Sequence, residues 1–163
     1  MRTIKVKELN REDFRKYGSY ERMVNPETIT FGGEPVQFFR DMLPMHIGSE
    51  QVSFSICRVC PRPLVIESYE YHNKTGEGIL PIDGDIILHV AYASGHKVAL
   101  DEVEAYFVPR GTMVTLRPGV FHHAPFAAGE TPVSTLIVLP ERTYANDCIV
   151  VRAEEQDKIA MER

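Results

Sequence analysis

The chain has 163 residues, 44% hydrophobic, 9% aromatic and 25% charged, enough for a full core that needs no disulfide or metal staple to fold. Its 18 Lys+Arg against 23 Asp+Glu give a formal net charge of -5, the opposite of a nucleic-acid footprint and a poor match to an anionic membrane. No apolar run approaches the roughly 18 residues of a membrane span, and Met1 to Leu9 lacks a signal-peptide core, so a cytoplasmic protein is expected.

The first element is a short helix within Leu9 to Gly18, capped by Asn10 and stopped by Gly18. Beyond it the helical period disappears. From Val52 onward the chain breaks into short runs rich in Val, Ile, Leu, Tyr and Phe: Val52 to Cys60, Leu64 to His72, Gly78 to Ile82, Ile86 to Ala93, Glu104 to Val108, Met113 to Leu116 and Ser134 to Leu139. Turn residues separate them, among them Asp83-Gly84, Ser94-Gly95 and Pro118-Gly119. Closely spaced strands without intervening helices predict an all-β barrel or sandwich, read as one domain over residues 1–163 with its core at about 50–152. The charged tail from Ala153 to Arg163 reads as a short helix or a frayed end.

Three cysteines, Cys57, Cys60 and Cys148, cannot all pair within one chain, which suits a reducing compartment. Cys57 and Cys60 form a CxxC, but residues three apart on a strand face opposite ways and no second CxxC completes a four-thiolate site. They read as structural strand cysteines.

Two segments place acid and imidazole groups at strand spacing. Glu70 and His72 are two apart and share a face; the tight Asn73 to Gly76 segment then reverses the chain and presents Glu77 opposite them. The second segment runs from Gly111 through Arg117, Pro118 and Gly119 to His122 and His123. Of two adjacent histidines only one easily joins the first cluster, and His122 is the choice. His46, His89, His96 and His123 read as more ordinary, His89 as a satisfied core or interface residue and His96 as a loop residue.

The spacing ExHx4Ex6G from Glu70 to Gly84 resembles the first cupin motif with Glu70 in place of its first histidine, and Gly111 to His122 resembles the second. Successive landmarks then resemble one family. Lys7-Glu8-Leu9 to Phe14, Tyr17-Gly18, Ser55-Ile56-Cys57-Arg58, Glu70-Tyr71-His72, Leu80 to Gly84, Val90-Ala91, Val120 to His123 and Asn146-Asp147-Cys148 are similar, in order, to those of ureidoglycolate lyases. The chain departs from that pattern at Glu77, where the lyases often carry Gln, and over Gly18 to Gly48. The resemblance implies a cupin-type jelly-roll barrel, commonly a homodimer, that splits ureidoglycolate into glyoxylate and urea in allantoin and purine breakdown. Apolar Ile86 to Leu88 is a candidate dimer patch or a core strand.

Glu70, His72, Glu77 and His122 are the candidate ligands of a divalent transition metal, since mixed carboxylate and imidazole ligation suits such ions better than Mg or Ca. The resemblance favours nickel, manganese or zinc. Glu77 or His123 would move protons at the site. An anionic metabolite needs a cationic anchor; Arg58 is the first choice and Arg117 the second. A metal-dependent cupin isomerase or epimerase acting on a sugar or sugar acid, and a metabolite-binding cupin without turnover, fit the same residues.

Overall fold

The computed structural model describes residues 1–94 and 97–163. In chain order they form β1 (Arg2–Glu8), α1 (Arg11–Phe14), β2 (Gly18–Arg22), β3 (Thr30–Gly33), β4 (Val36–Phe39), β5 (Val52–Val59), β6 (Val65–Ile66), β7 (Ser68–Tyr71), β8 (Glu77–Pro81) and β9 (Ile86–Ser94). They continue with β10 (Lys97–Val98), β11 (Glu104–Val108), β12 (Thr112–Leu116), β13 (Val120–Phe121), β14 (Phe126–Ala127), β15 (Val133–Pro140), α2 (Thr143–Asn146), β16 (Ile149–Arg152) and β17 (Ile159–Glu162). The Asn10 side chain caps α1 by accepting from the Asp13 amide at 2.9 Å, as the sequence predicts. Gly95 of the expected turn, and His96, lie outside the described residues.

Two main sheets carry the fold. One has the strand order β2-β12-β8-β15-β5, and the other β10-β9-β11-β1-β17-β6, with β13 and β14 also paired to β9. The principal core lies between them, because strand alternation turns Val59, Ile79, Val114, Leu116, Ile137 and Leu139 of the first sheet toward Ile86, Leu88, Val90, Tyr106 and Val108 of the second. A second apolar cluster, with Tyr69, Tyr71, Ile87, Ala91 and Phe121, fills the outer side of β9. This is an all-β, cupin-type barrel, the fold class expected.

The seven expected strands are present, with Leu64 to His72 divided into β6 and β7 where the Glu67 carbonyl accepts from the Ala153 amide. The tail is not frayed: a short 3-10 helix at Glu155–Asp157 leads into β17, which pairs with β1 and β6 and buries Ile159 and Met161. Ile86 to Leu88 is core, not a surface patch, whereas Phe54 and Ile56 on edge strand β5 and Phe31, Val36 and Phe38 on the β3–β4 hairpin are exposed. Cys57 is half-buried against the core, Cys60 is exposed, and both are free thiols.

Glu104 on β11 links the neighbouring strand β1 and the segment after α1 through one carboxylate. Its carboxylate accepts from Lys7 Nζ at 2.7 Å and Tyr106 Oη at 2.8 Å, and lies 3.1 Å from Lys16 Nζ. Burial opposes its ionisation, but these donors outweigh burial and hold the carboxyl down to about 2. A depressed carboxylate stabilises the fold above its unfolded value and loses that contribution as pH falls through the folded one. Glu104→Gln is therefore expected to cost about 1–2 kcal/mol at neutral pH in urea unfolding. The gap from wild type should shrink below pH 4.5 and close near pH 2; a pH-independent gap would contradict the assignment.

Candidate metal centre

Three backbone features bring the two motifs together. Glu70 and His122 form an antiparallel bridge, with the Glu70 amide donating to the His122 carbonyl and the His122 amide to the Glu70 carbonyl. The Gly119 amide, at the tip of the Pro118-Gly119 turn, donates to the His72 carbonyl at 2.7 Å, and Gly119 takes the left-handed conformation (φ 81°) that favours glycine there. Glu77, the first residue of β8, faces the barrel interior in step with Ile79.

The result is a buried three-residue cluster. His72, Glu77 and His122 are 2%, 6% and 3% exposed. Glu77 Oε2 lies 3.0 Å from His72 Nε2 and 2.9 Å from His122 Nε2, and one ligand atom from each residue falls within 4.8 Å of the other two. Both imidazoles are oriented from behind. His72 Nδ1 donates to the Asp147 carbonyl at 2.6 Å and His122 Nδ1 to the Val120 carbonyl at 2.9 Å. Asp147 is itself fixed, its carboxylate accepting from the Asn73 and Lys74 amides at 2.9 and 2.7 Å. Backbone acceptors behind metal-binding histidines fix the tautomer in this way.

With Nδ1–H committed to carbonyls, each neutral imidazole turns an Nε2 lone pair toward a carboxylate oxygen. Three acceptors in one dry space repel one another unless a cation or a proton sits among them. Without a metal the proton takes that place. Burial opposes charging His122, but the Glu77 carboxylate and its hydrogen bond, with the Glu70 charge, raise that imidazole to about 9. Burial likewise opposes Glu77, and the His122 charge and both histidine hydrogen bonds hold it down to about 2. Ligands at right angles around an ion with bonds of about 2.1 Å, as in octahedral coordination, lie about 3 Å apart, which matches the two contacts to Glu77. Two imidazoles and one carboxylate, with coordination positions left over, fit a divalent transition metal.

The other expected site residues fall elsewhere. Glu70 shares the His122 bridge but stands outside the three-residue cluster, its Oε2 accepting from Cys148 Sγ at 3.3 Å. Burial and Glu70 push the Cys148 thiol up to about 12, so it is a donor here and no thiolate ligand. His123 is half-buried and lines a cleft of about 630 Å³ between β5, β6 and β14. Arg58 touches that cleft but is exposed, because the alternation that turns Cys57 and Val59 to the core turns Arg58 outward toward Asp83. Arg117 is exposed and reaches the Lys16 carbonyl at 3.4 Å, away from the cluster.

Two features of the site are additions to the sequence reading. Asp147 acts behind His72, although its landmark carried no expected role. Arg62, between Pro61 and Pro63, stacks its guanidinium on Phe126 at 3.9 Å and donates to the Ala124 carbonyl at 3.0 Å. His89 is buried as expected but not satisfied: its Nε2 faces the Ser68 carbonyl at 3.3 Å and its Nδ1 has no partner among the described residues. Burial, then the charges of His123 and His122, push that imidazole down to about 3, so it is neutral.

A family model described as "Domain of unknown function (DUF4867)" matches residues 49–163, and the chain belongs to that family. No curated protein matches in sequence. Among solved structures, the chain is similar to Bacillus subtilis oxalate decarboxylase, described in work on its Mn(II) centres, with 18% identity over 64% of this chain and a TM-score of 0.46. A variant of the same enzyme gives 16% identity and a TM-score of 0.45. The chain spans 24% of each of those proteins.

Proposed function

We propose that this member of the DUF4867 family is a metal-dependent cupin enzyme acting on a small anionic metabolite that chelates through oxygen. The observation that carries the reading is the buried convergence of His72 Nε2, His122 Nε2 and Glu77 Oε2, with both imidazole tautomers fixed by backbone carbonyls. Folding of a barrel with this core requires no metal, so a group of repelling acceptors at the edge of that core needs a functional reason. A bound divalent ion supplies Lewis-acid polarisation of a chelated hydroxyl or carbonyl.

Within that class we propose ureidoglycolate cleavage as the first reaction to test, on the strength of the collinear landmarks. Glu77 is held between two imidazoles and serves as a ligand. His123 is the proton carrier: burial pushes its imidazole down, opposed by the Glu70 charge, leaving a neutral base beside the cluster at neutral pH. It takes the substrate hydroxyl proton as the carbonyl of glyoxylate forms and the C–N bond breaks, and returns that proton to the departing urea nitrogen. The proton balance closes without another reactant.

Racemic ureidoglycolate incubated with metal-loaded protein is expected to release glyoxylate from one enantiomer, and chelation should abolish the release. Absence of release at saturating metal would remove the lyase reading. A second reading, isomerisation of a sugar or sugar acid, is favoured by Glu70: a carboxylate outside the three-ligand set, alongside His123, supplies the two proton carriers that a hydrogen shift between adjacent carbons uses.

A further inference from the structure

The cleft beside the cluster contains a cation that the fold does not neutralise. The Arg62 guanidinium carbon lies over the Phe126 ring, 3.9 Å from its centroid, and the side chain uses one donor on the Ala124 carbonyl. Its remaining N–H groups have no carboxylate within ion-pair distance among the described residues. The nearby acid, Glu67, is instead 3.7 Å from Lys158 Nζ. Proline on either side restricts the backbone that carries Arg62, so the stacked orientation is prepared in advance.

One acid, Glu67, lines the cleft and acts on Arg62 at longer range, but its carboxylate is turned to Lys158. The same cleft is walled by Ser68, by His123 and by neutral His89, whose Nδ1 lacks a partner. Arg62 lies close enough to Cys57, His89 and His123 for its charge to act on all three, and Cys57 in turn feels Glu77. His123, next in sequence to His122, is the cleft wall nearest the metal-binding cluster, whose own three residues do not line it. Its volume of about 630 Å³ is in the range of small-molecule sites.

We propose that Arg62 is the anion-binding residue of the substrate site. It receives the carboxylate or phosphate end of a ligand that lies in this cleft and extends past His123 on the side of the cluster, the role expected of Arg58 or Arg117. A stacked guanidinium presents paired donors in one plane, which match two oxygens of a carboxylate or phosphate. The inference deepens the metal-enzyme reading and rests on it for the far end of the ligand. The anion site itself requires no metal.

The test is a titration of the full-length chain, metal-loaded and chelator-treated, with malonate and with inorganic phosphate. It is followed by calorimetry and by the Arg62 Nε–H resonance. Saturable binding is expected in both metal states, with a shift of that resonance. Arg62→Gln should weaken binding by more than about tenfold, or about 1.4 kcal/mol, and Arg62→Lys by less. Arg58→Gln and Arg117→Gln should stay within about twofold of wild type. Tighter malonate indicates a carboxylate ligand and tighter phosphate a phosphorylated one; either supports the site. An unmoved Arg62 resonance in the wild-type protein, or an Arg62→Gln variant that binds as wild type does, overturns it. Loss of metal binding with anion binding intact would count against the enzyme reading alone.

Discussion

His72→Ala and His122→Ala are each expected to lower affinity for Mn(II), Ni(II) or Zn(II) by more than about 100-fold. Loss of an outer partner that merely orients a ligand typically costs about 10–100-fold, so removal of a ligand should exceed it. Glu77→Gln keeps an oxygen between the imidazoles but loses the charge, and should fall between these variants and wild type. The measurement is metal content after dialysis against a defined free ion, beside each variant's melting temperature. The control matters because Glu77 is buried, and removing an imidazole leaves its charge with less compensation. Glu70→Gln should retain the ion, since its carboxylate hydrogen-bonds Cys148 outside the cluster. Equal metal loss in all four variants would mean that the three-residue set is wrongly drawn.

Metal binding also carries a pH signature. In the metal-free protein His122 holds a proton until pH approaches about 9, so an ion entering at pH 7 must displace it. Affinity should rise between pH 6 and about 9. Calorimetry in buffers of different ionisation enthalpy should read proton release at pH 7.

Phe121→Ala is expected to destabilise the protein by about 3–5 kcal/mol, the range for deleting a fully buried phenyl ring. Phe121 is fully buried, with ring centroids 4.6 Å from Tyr71 and 6.3 Å from Tyr69. It sits on β13 against Ala91 of β9, immediately before His122. The cavity should therefore loosen the segment that aims His122 at Glu77 and weaken metal binding as well. Urea unfolding checks the first effect and metal titration the second. Phe54→Ala, on the exposed face of β5, is the comparison and should stay within about 0.5 kcal/mol. A similar cost at both positions would contradict the assignment of the second core.

The central strands were legible because their alternation is strong: β5, β8, β9, β11, β12 and β15 each turn apolar residues to one or both cores. β1 and β17 were not, because their burial comes from pairing with each other across the whole chain, which local composition does not report. The β3–β4 hairpin buries little and leaves no apolar periodicity to read. At the site, strand spacing was sufficient for His72, Glu77 and His122. It assigned Glu70 to the right face, but spacing does not specify a rotamer, and the Cys148 thiol that turns its carboxylate aside comes from a distant segment.

That Arg58 faces away from the core was legible in sequence, since the parity that faces Cys57 inward faces its neighbour outward. Arg62 had no such signal. Its Pro-Arg-Pro setting reads as a turn, and only the fold brings it onto Phe126. Asp147 acts through a backbone carbonyl, a role that leaves no mark on residue type.

The most direct measurement is anomalous diffraction from crystals of the protein loaded with Mn(II), recorded on either side of the metal edge. A single peak bonded to His72 Nε2, His122 Nε2 and a Glu77 carboxylate oxygen is the predicted result. A fully loaded protein with that position empty and the anomalous peak elsewhere would contradict the account.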